Sequence, residues 1–320
     1  MSDADRIRKK YLAFADNEAK GVSPSYEAFT RAVAGDDACI NFLAQLPDPK
    51  QQPNLLLAAI RKHYGLATSP QEFVEWVGQD QGDVRATMLQ RATQTNEANR
   101  CATLLPVLAQ LSQPLALIEV GASAGLCLFP DCYNYRYGEI GLSGDDPDAP
   151  ELYCEASDNT PIPDKLPSVA WRAGLDLNPL DVTDADSMDW LKLLIWPEQD
   201  DRRRNLEGAI SVARKQPPRL WQGELGADLE ELLDTAPPAM TTVVFHSAVL
   251  AYVRSREARA NFVADMIASP VVWISNEYPA VFPDIAEKLP FEPPKNKFLL
   301  SVNGEPVALT GPHGQSIDWL

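Results

Sequence analysis

The chain is poor in the residues that build metal centres and disulfide frameworks. Its 320 residues include three histidines, His63, His246 and His313, and five cysteines. No two histidines stand at ligand spacing and no Cys-x-x-Cys occurs, so no metal site is expected. Cys39, Cys101, Cys127, Cys132 and Cys154 are odd in number and irregularly spaced, which points to free thiols in a reducing compartment. Cations are also scarce. Against 45 Asp and Glu there are 28 Lys and Arg, a formal net charge of −17. Non-specific binding to nucleic acid or to an anionic membrane needs a cationic face, so neither is expected as a partner. No apolar run reaches the ~18 residues that read as a membrane span. The charged opening Met1–Lys10 lacks the apolar core of a signal peptide. The expectation is a cytoplasmic protein whose partner is a small-molecule substrate; nothing in the chain indicates an oligomeric state.

What is present divides in two. Over residues 1–110, apolar residues recur at helical spacing, as in Ile7, Tyr11 and Phe14, and Pro24 and Pro70 mark helix starts. This predicts an all-helical N-terminal cap. Over residues 111–320, short apolar strands alternate with helices: Leu115–Ile118, Val169–Leu175, Leu220–Glu224, Thr241–Phe245 and Val271–Ser275. The alternation means a parallel sheet, and the near-continuous apolar character of Thr241–Phe245 is typical of a buried one. Asn303-Gly304 between two apolar runs predicts an antiparallel C-terminal edge. Tyr133, Tyr135 and Tyr137, followed by a Gly-, Asp- and Pro-rich stretch, predict an inserted hairpin over residues 133–157. The expected fold class is α/β, Rossmann-like, with a mostly parallel sheet preceded by the helical region.

The segment Leu115-Ala-Leu-Ile-Glu-Val-Gly-Ala-Ser-Ala-Gly125 reads as strand, tight turn and then helix. Two chemistries use such a turn. Gly121-Ala-Ser-Ala-Gly125 fits the Gly-x-Ser-x-Gly nucleophile elbow of serine hydrolases, with Asp284 and His313 as nominal triad partners. An elbow, however, sits in the middle of a sheet, and no strand precedes this one, so hydrolysis ranks third. Glu119, Gly121, Ser123 and Gly125 read better as a cofactor turn on the first strand. Asp176 ends the second strand, where an acid binds ribose hydroxyls, although it comes later than the ~20-residue spacing of the dinucleotide fingerprint. Glu224 ends the third strand as a candidate adenine contact. Carboxylates suit the sulfonium and amino group of S-adenosylmethionine and disfavour a pyrophosphate. His246, at the end of the fourth strand, is the candidate catalytic base. Arg91–Arg100 is dense in Thr, Asn and Gln, which are weak helix stabilisers. It is read as a helical pocket wall in which Gln94, Asn96 and Glu97, with His313 from a later loop, line the substrate pocket.

Several of these segments together resemble a known family. Thr93-Gln-Thr-Asn-Glu97, Glu119–Leu126, Gly174–Asp184, Trp196-Pro-Glu-Gln199, Val243–Tyr252 and Pro312-His-Gly314 look like an uncharacterised bacterial domain-of-unknown-function family. Its members are expected to have a class I S-adenosylmethionine-dependent methyltransferase-like Rossmann core and a helical N-terminal region. The resemblance covers most of the chain. It implies the fold and S-adenosylmethionine as cofactor, and it implies no substrate. Cys127 and Pro130 depart from the regular helix formers expected after the turn. The expected function is S-adenosylmethionine-dependent methylation of a small molecule. The alternative is a non-catalytic ligand-binding protein with the same fold.

Overall fold

Serine and proline set the helix starts in the first part of the chain. In the computed structural model, which describes every residue except Met1, Gln81, Thr95 and Arg254, six helices span Asp3–Phe14, Pro24–Gly35, Asp37–Ala44, Pro53–Tyr64, Pro70–Gly78 and Asp83–Gln90. Ser2 and Asp5 form a reciprocal capping box on the first. The Ser23 and Ser69 side chains cap helices that begin with Pro24 and Pro70. These helices, with Ala185–Leu194, enclose one apolar core that includes Ile7, Tyr11, Phe29, Leu43, Leu56 and Trp190.

The chain forms two compact units. One is Met1–Thr95 with Asp186–Arg203, and the other is Asn96–Ala185 with Arg204–Leu320. The boundary anticipated near residue 110 thus falls between Thr95 and Asn96, and the helical unit recruits a second segment. The reason is apolar: Trp190, Leu193, Leu194 and Trp196 pack into the helical core. Within this unit Trp196 Nε1 donates to Asn54 Oδ1 at 2.9 Å. Glu198 accepts from Ser23 Oγ at 2.5 Å and from Ser25 N at 3.0 Å. The Trp196-Pro-Glu-Gln199 motif is therefore a structural clasp.

The second unit is built on strands β1 (Leu115–Val120), β2 (Asn134–Tyr137), β3 (Ile140–Leu142), β4 (Glu151–Tyr153), β5 (Glu155–Ala156), β6 (Val169–Asp176), β7 (Arg219–Gln222), β8 (Thr241–Ser247), β9 (Val272–Glu277), β10 (Phe298–Val302), β11 (Glu305–Thr310) and β12 (Ser316–Trp319). Nine of them form one sheet in the order β5-β12-β11-β10-β9-β8-β1-β6-β7. The pairs from β7 through β6, β1 and β8 to β9 are parallel. The pairs from β9 through β10 and β11 to β12 are antiparallel, with Asn303 and Gly304 at positive φ in the β10–β11 turn. The fold is α/β and Rossmann-like, with an antiparallel C-terminal edge. Helices Ala227–Asp234 and Arg256–Ala268 cover one face of the sheet, burying Leu229, Leu232, Phe262 and Met266 against Ile118, Val244 and Trp273.

Three local expectations change. The apolar stretch after the turn is one 3₁₀ turn, Leu126–Leu128, instead of a full helix, since Phe129 precedes Pro130 and is steered away from helical geometry. The helical wall expected over Arg91–Arg100 does not form as one helix: the helices are Asp83–Gln90 and Cys101–Leu108, with a 3₁₀ turn at Ala98–Arg100. Between them Thr93 and Asn96 spend their side chains on tertiary partners, which competes with helix formation. The inserted hairpin exists as β2–β3, but the run Glu151–Ala156 is divided. Its first half, β4, pairs with β2, and its second half, β5, joins the large sheet beside β12.

Candidate functional site

Strand order fixes where a site can form. The chain leaves β1 toward β6 on one side and later returns as β8 on the other. Loops diverge at such a reversal and open a crevice at the carboxyl ends of the strands. Glu119 and Val120 end β1 there. The turn that follows has φ of +73° at Gly121, +50° at Ser123 and +69° at Gly125. Ser123 is a non-glycine residue in left-handed backbone, a conformation that persists only when its surroundings enforce it.

The enforcing contacts are specific. Ser123 N donates to Asp176 Oδ2 at 2.8 Å, Ser123 Oγ accepts from Asn96 Nδ2 at 2.7 Å, and the Ser123 carbonyl accepts from Leu180 N at 2.9 Å. Ala124 N donates to Asn96 Oδ1 at 2.9 Å. The second oxygen of Asp176 accepts from Asn178 N at 2.7 Å. Asn96, Ser123 and Asp176 are thus brought together. No triad is assembled around Ser123: its hydroxyl faces an amide, with no histidine partner among the described residues. Gly121 is required by packing, because a Cβ there would stand 2.3 Å from Val249 Cγ2 in the loop after β8.

Glu119 is buried, and its Oε2 has no hydrogen-bond partner among the described residues. Burial, reinforced by the neighbouring Cys127 thiol and the Asp176 charge, pushes its carboxyl well above the usual range, with Arg100 pulling the other way. Arg100 is itself buried. Its Nε donates to the Pro312 carbonyl at 3.0 Å and its Nη1 to the Ser247 carbonyl at 2.9 Å, and the guanidinium lies over the Phe298 ring. Among the described residues it has no carboxylate ion pair. Glu97 is buried beside His313, with Nδ1 and Oε2 separated by 3.4 Å.

His246 occupies a different environment from the one expected of a base. Its side chain is fully buried. Trp273 Nε1 donates to His246 Nε2 at 3.1 Å, which assigns the proton to Nδ1, and Nδ1 donates to Glu277 Oε1 at 2.8 Å. Phe262, Trp273 and Phe282 surround the ring. Neither nitrogen offers a lone pair to an outside proton donor, so the geometry here is that of a satisfied structural histidine. Two expected residues remain. Glu224 is exposed beyond β7, its amide bonded to Asp228. Gln94 belongs to the helical unit, and Thr95 lies outside the described residues.

Sequence reasoning missed Asn99, Arg100, Val249 and Glu277. Glu277 Oε1 accepts from Val249 N and Leu250 N as well as from His246, pinning the loop after β8, where Ala248 has φ of +57°. An acid ending an apolar strand was the available signal, the same one that identifies Glu119. A groove of about 860 Å³, bordered by Ala251, Tyr278, Val281 and Phe291, opens beside the ends of β8 and β9; no residue of the glycine turn lines it. Among the described residues, no group of three or more His, Cys, Asp or Glu is arranged to hold a metal ion, and no helix is long and apolar enough to cross a membrane.

A family model described as an uncharacterized protein conserved in bacteria (DUF2332) matches residues 8–319. No curated protein and no solved structure matches the chain.

Proposed function

For this chain, which belongs to that bacterial family, we propose the function of an S-adenosylmethionine-dependent methyltransferase acting on a small molecule. The observation that carries the reading is the unpartnered Oε2 of Glu119, buried at the end of β1 beside the glycine turn. A buried carboxyl in this state lacks a donor, and an ammonium or another cation would restore its charge. The amino-acid end of the cofactor brings an ammonium for Glu119 and a carboxylate for Arg100. Asp176 uses one lone pair on each oxygen to hold the turn, leaving acceptor capacity for ribose hydroxyls. Bound there, the cofactor supplies a methyl group activated on a sulfonium. The groove by β8 and β9 is the proposed room for the acceptor. Val249 over Gly121 favours a second reading, a binding protein without chemistry, because that side chain fills part of the seat.

Calorimetric titration with S-adenosylmethionine and its demethylated product tests the reading. Glu119→Gln removes a charge-assisted contact worth ~1.5–3 kcal/mol, so affinity is expected to fall about 10- to 100-fold. Absence of binding to the wild-type protein at millimolar ligand removes the cofactor assignment. Unchanged affinity in Asp176→Ala removes the ribose contact.

A further inference from the structure

We propose that His313 and Glu97 form a proton-accepting dyad at the carboxyl edge of the sheet, serving an acceptor that reacts through a hydroxyl or an amine. The inference rests on the methyl-transfer reading only for the identity of the electrophile.

Of the three imidazoles, His246 is sealed and bonded at both nitrogens, and His63 has its Nε2 engaged with Thr87 Oγ1 at 2.7 Å. His313 combines an open ring with a buried acid behind it. Its side chain is 45% exposed while that of Glu97 is 4% exposed. The exposure excludes Nδ1, which is buried and makes no hydrogen bond. The 3.4 Å separation from Glu97 Oε2 is ion-pair range, longer than a hydrogen bond, and contacts of this kind shorten when the ring takes up a proton. A carboxylate behind Nδ1 selects the tautomer with hydrogen on Nδ1, leaving the Nε2 lone pair outward. Glu97 and Arg100 are the charged groups that face this loop from the segment packed against it.

The loop that carries the ring is held from several directions. The His313 carbonyl accepts from Asn99 Nδ2 at 3.1 Å and the Pro312 carbonyl from Arg100 Nε at 3.0 Å. His313 N donates to Gln315 Oε1 at 2.9 Å. Gly314 has φ of +77°, and a Cβ there would meet the Asn99 carbonyl oxygen at 2.1 Å, so only glycine lets the two segments approach. Asn96 grips the glycine turn while Glu97, Asn99 and Arg100 grip the histidine loop. One stretch, Asn96–Arg100, therefore sets the position of the base relative to the cofactor turn. In the reaction, the acceptor's lone pair forms the new bond to carbon and the carbon–sulfur pair stays on sulfur. The acceptor's proton passes to His313 Nε2, and Glu97 balances the imidazolium charge. Glu97 is a positioning residue.

The test reads the tautomer by ¹⁵N NMR of the imidazole rings in the full chain, without ligand, above the ordinary histidine pKa of ~6.5. His313→Gln assigns the signal. The expected result is hydrogen on Nδ1 of His313 in the wild-type protein and a shift toward hydrogen on Nε2 in Glu97→Ala. The His246 signal stays unchanged as evidence of an intact fold. Carbethoxylation of His313 by diethyl pyrocarbonate, followed by peptide mass spectrometry, is expected to slow several-fold in the same variant. Hydrogen on Nε2 in the wild-type protein overturns the dyad, as does an unchanged tautomer in Glu97→Ala with His246 intact. Neither measurement uses S-adenosylmethionine, so the dyad and the cofactor assignment fail separately.

Discussion

Glu119 ties the site to pH. With its folded-state carboxyl raised above the ordinary 4.5 by burial and by Cys127, the native protein holds a proton that the unfolded chain has released. Stability therefore falls as pH rises from 4.5 toward the raised folded value, since the native state binds more protons across that window. Relative to Glu119→Gln, the wild-type protein is expected to lose melting temperature as pH rises above 4.5 toward the raised folded-state value. Parallel melting curves for the two proteins would show that Glu119 ionises normally. A cationic ligand that restores the charge releases this proton, so the binding enthalpy of S-adenosylmethionine should vary with the ionisation enthalpy of the buffer.

Among the elements, the glycine turn and the loop after β8 behave as one part, because Val249 occupies the space over Gly121. Gly121→Ala incurs both the left-handed backbone cost and the clash, together ~2–4 kcal/mol. Adding Val249→Ala is expected to relieve the clash while ~1–2 kcal/mol of backbone cost remains. Denaturant unfolding of the two single variants and the double variant measures this coupling. Strictly additive losses would mean that the side chains do not meet. Strands β1, β6, β8 and β9 were legible in the sequence because buried parallel strands are written as short apolar runs. Glu119, Ser123 and Asp176 were legible because acids and small residues at strand ends stand out. The role of Asn96–Arg100 was not. It depends on a loop up to 214 residues away, and a run of Thr, Asn and Gln looks the same whether it faces solvent or clamps a turn. The 3₁₀ turn after Gly125 was missed because Leu126–Phe129 is apolar enough for a helix, and its backbone is decided by Pro130.

For the whole molecule, charge is the dominant long-range term. A formal −17 self-repels in the folded state, and salt screens that repulsion over a Debye length of ~10 Å at 0.1 M. The melting temperature at neutral pH is expected to rise between low salt and ~0.15 M salt. A flat or falling profile in scanning calorimetry would mean that the ion pairs between exposed side chains outweigh the net repulsion.

The helical unit is assembled from two separated pieces of chain, Met1–Thr95 and Asp186–Arg203. On the ribosome this imposes a delay. The first six helices emerge with the place of Trp190 in their core still vacant, and the whole of Asn96–Ala185 must be translated before that side chain arrives. At ~5–20 residues per second the nascent chain carries an unfinished apolar core for several seconds. During biogenesis the N-terminal helices therefore keep apolar surface uncovered until Trp190 reaches them.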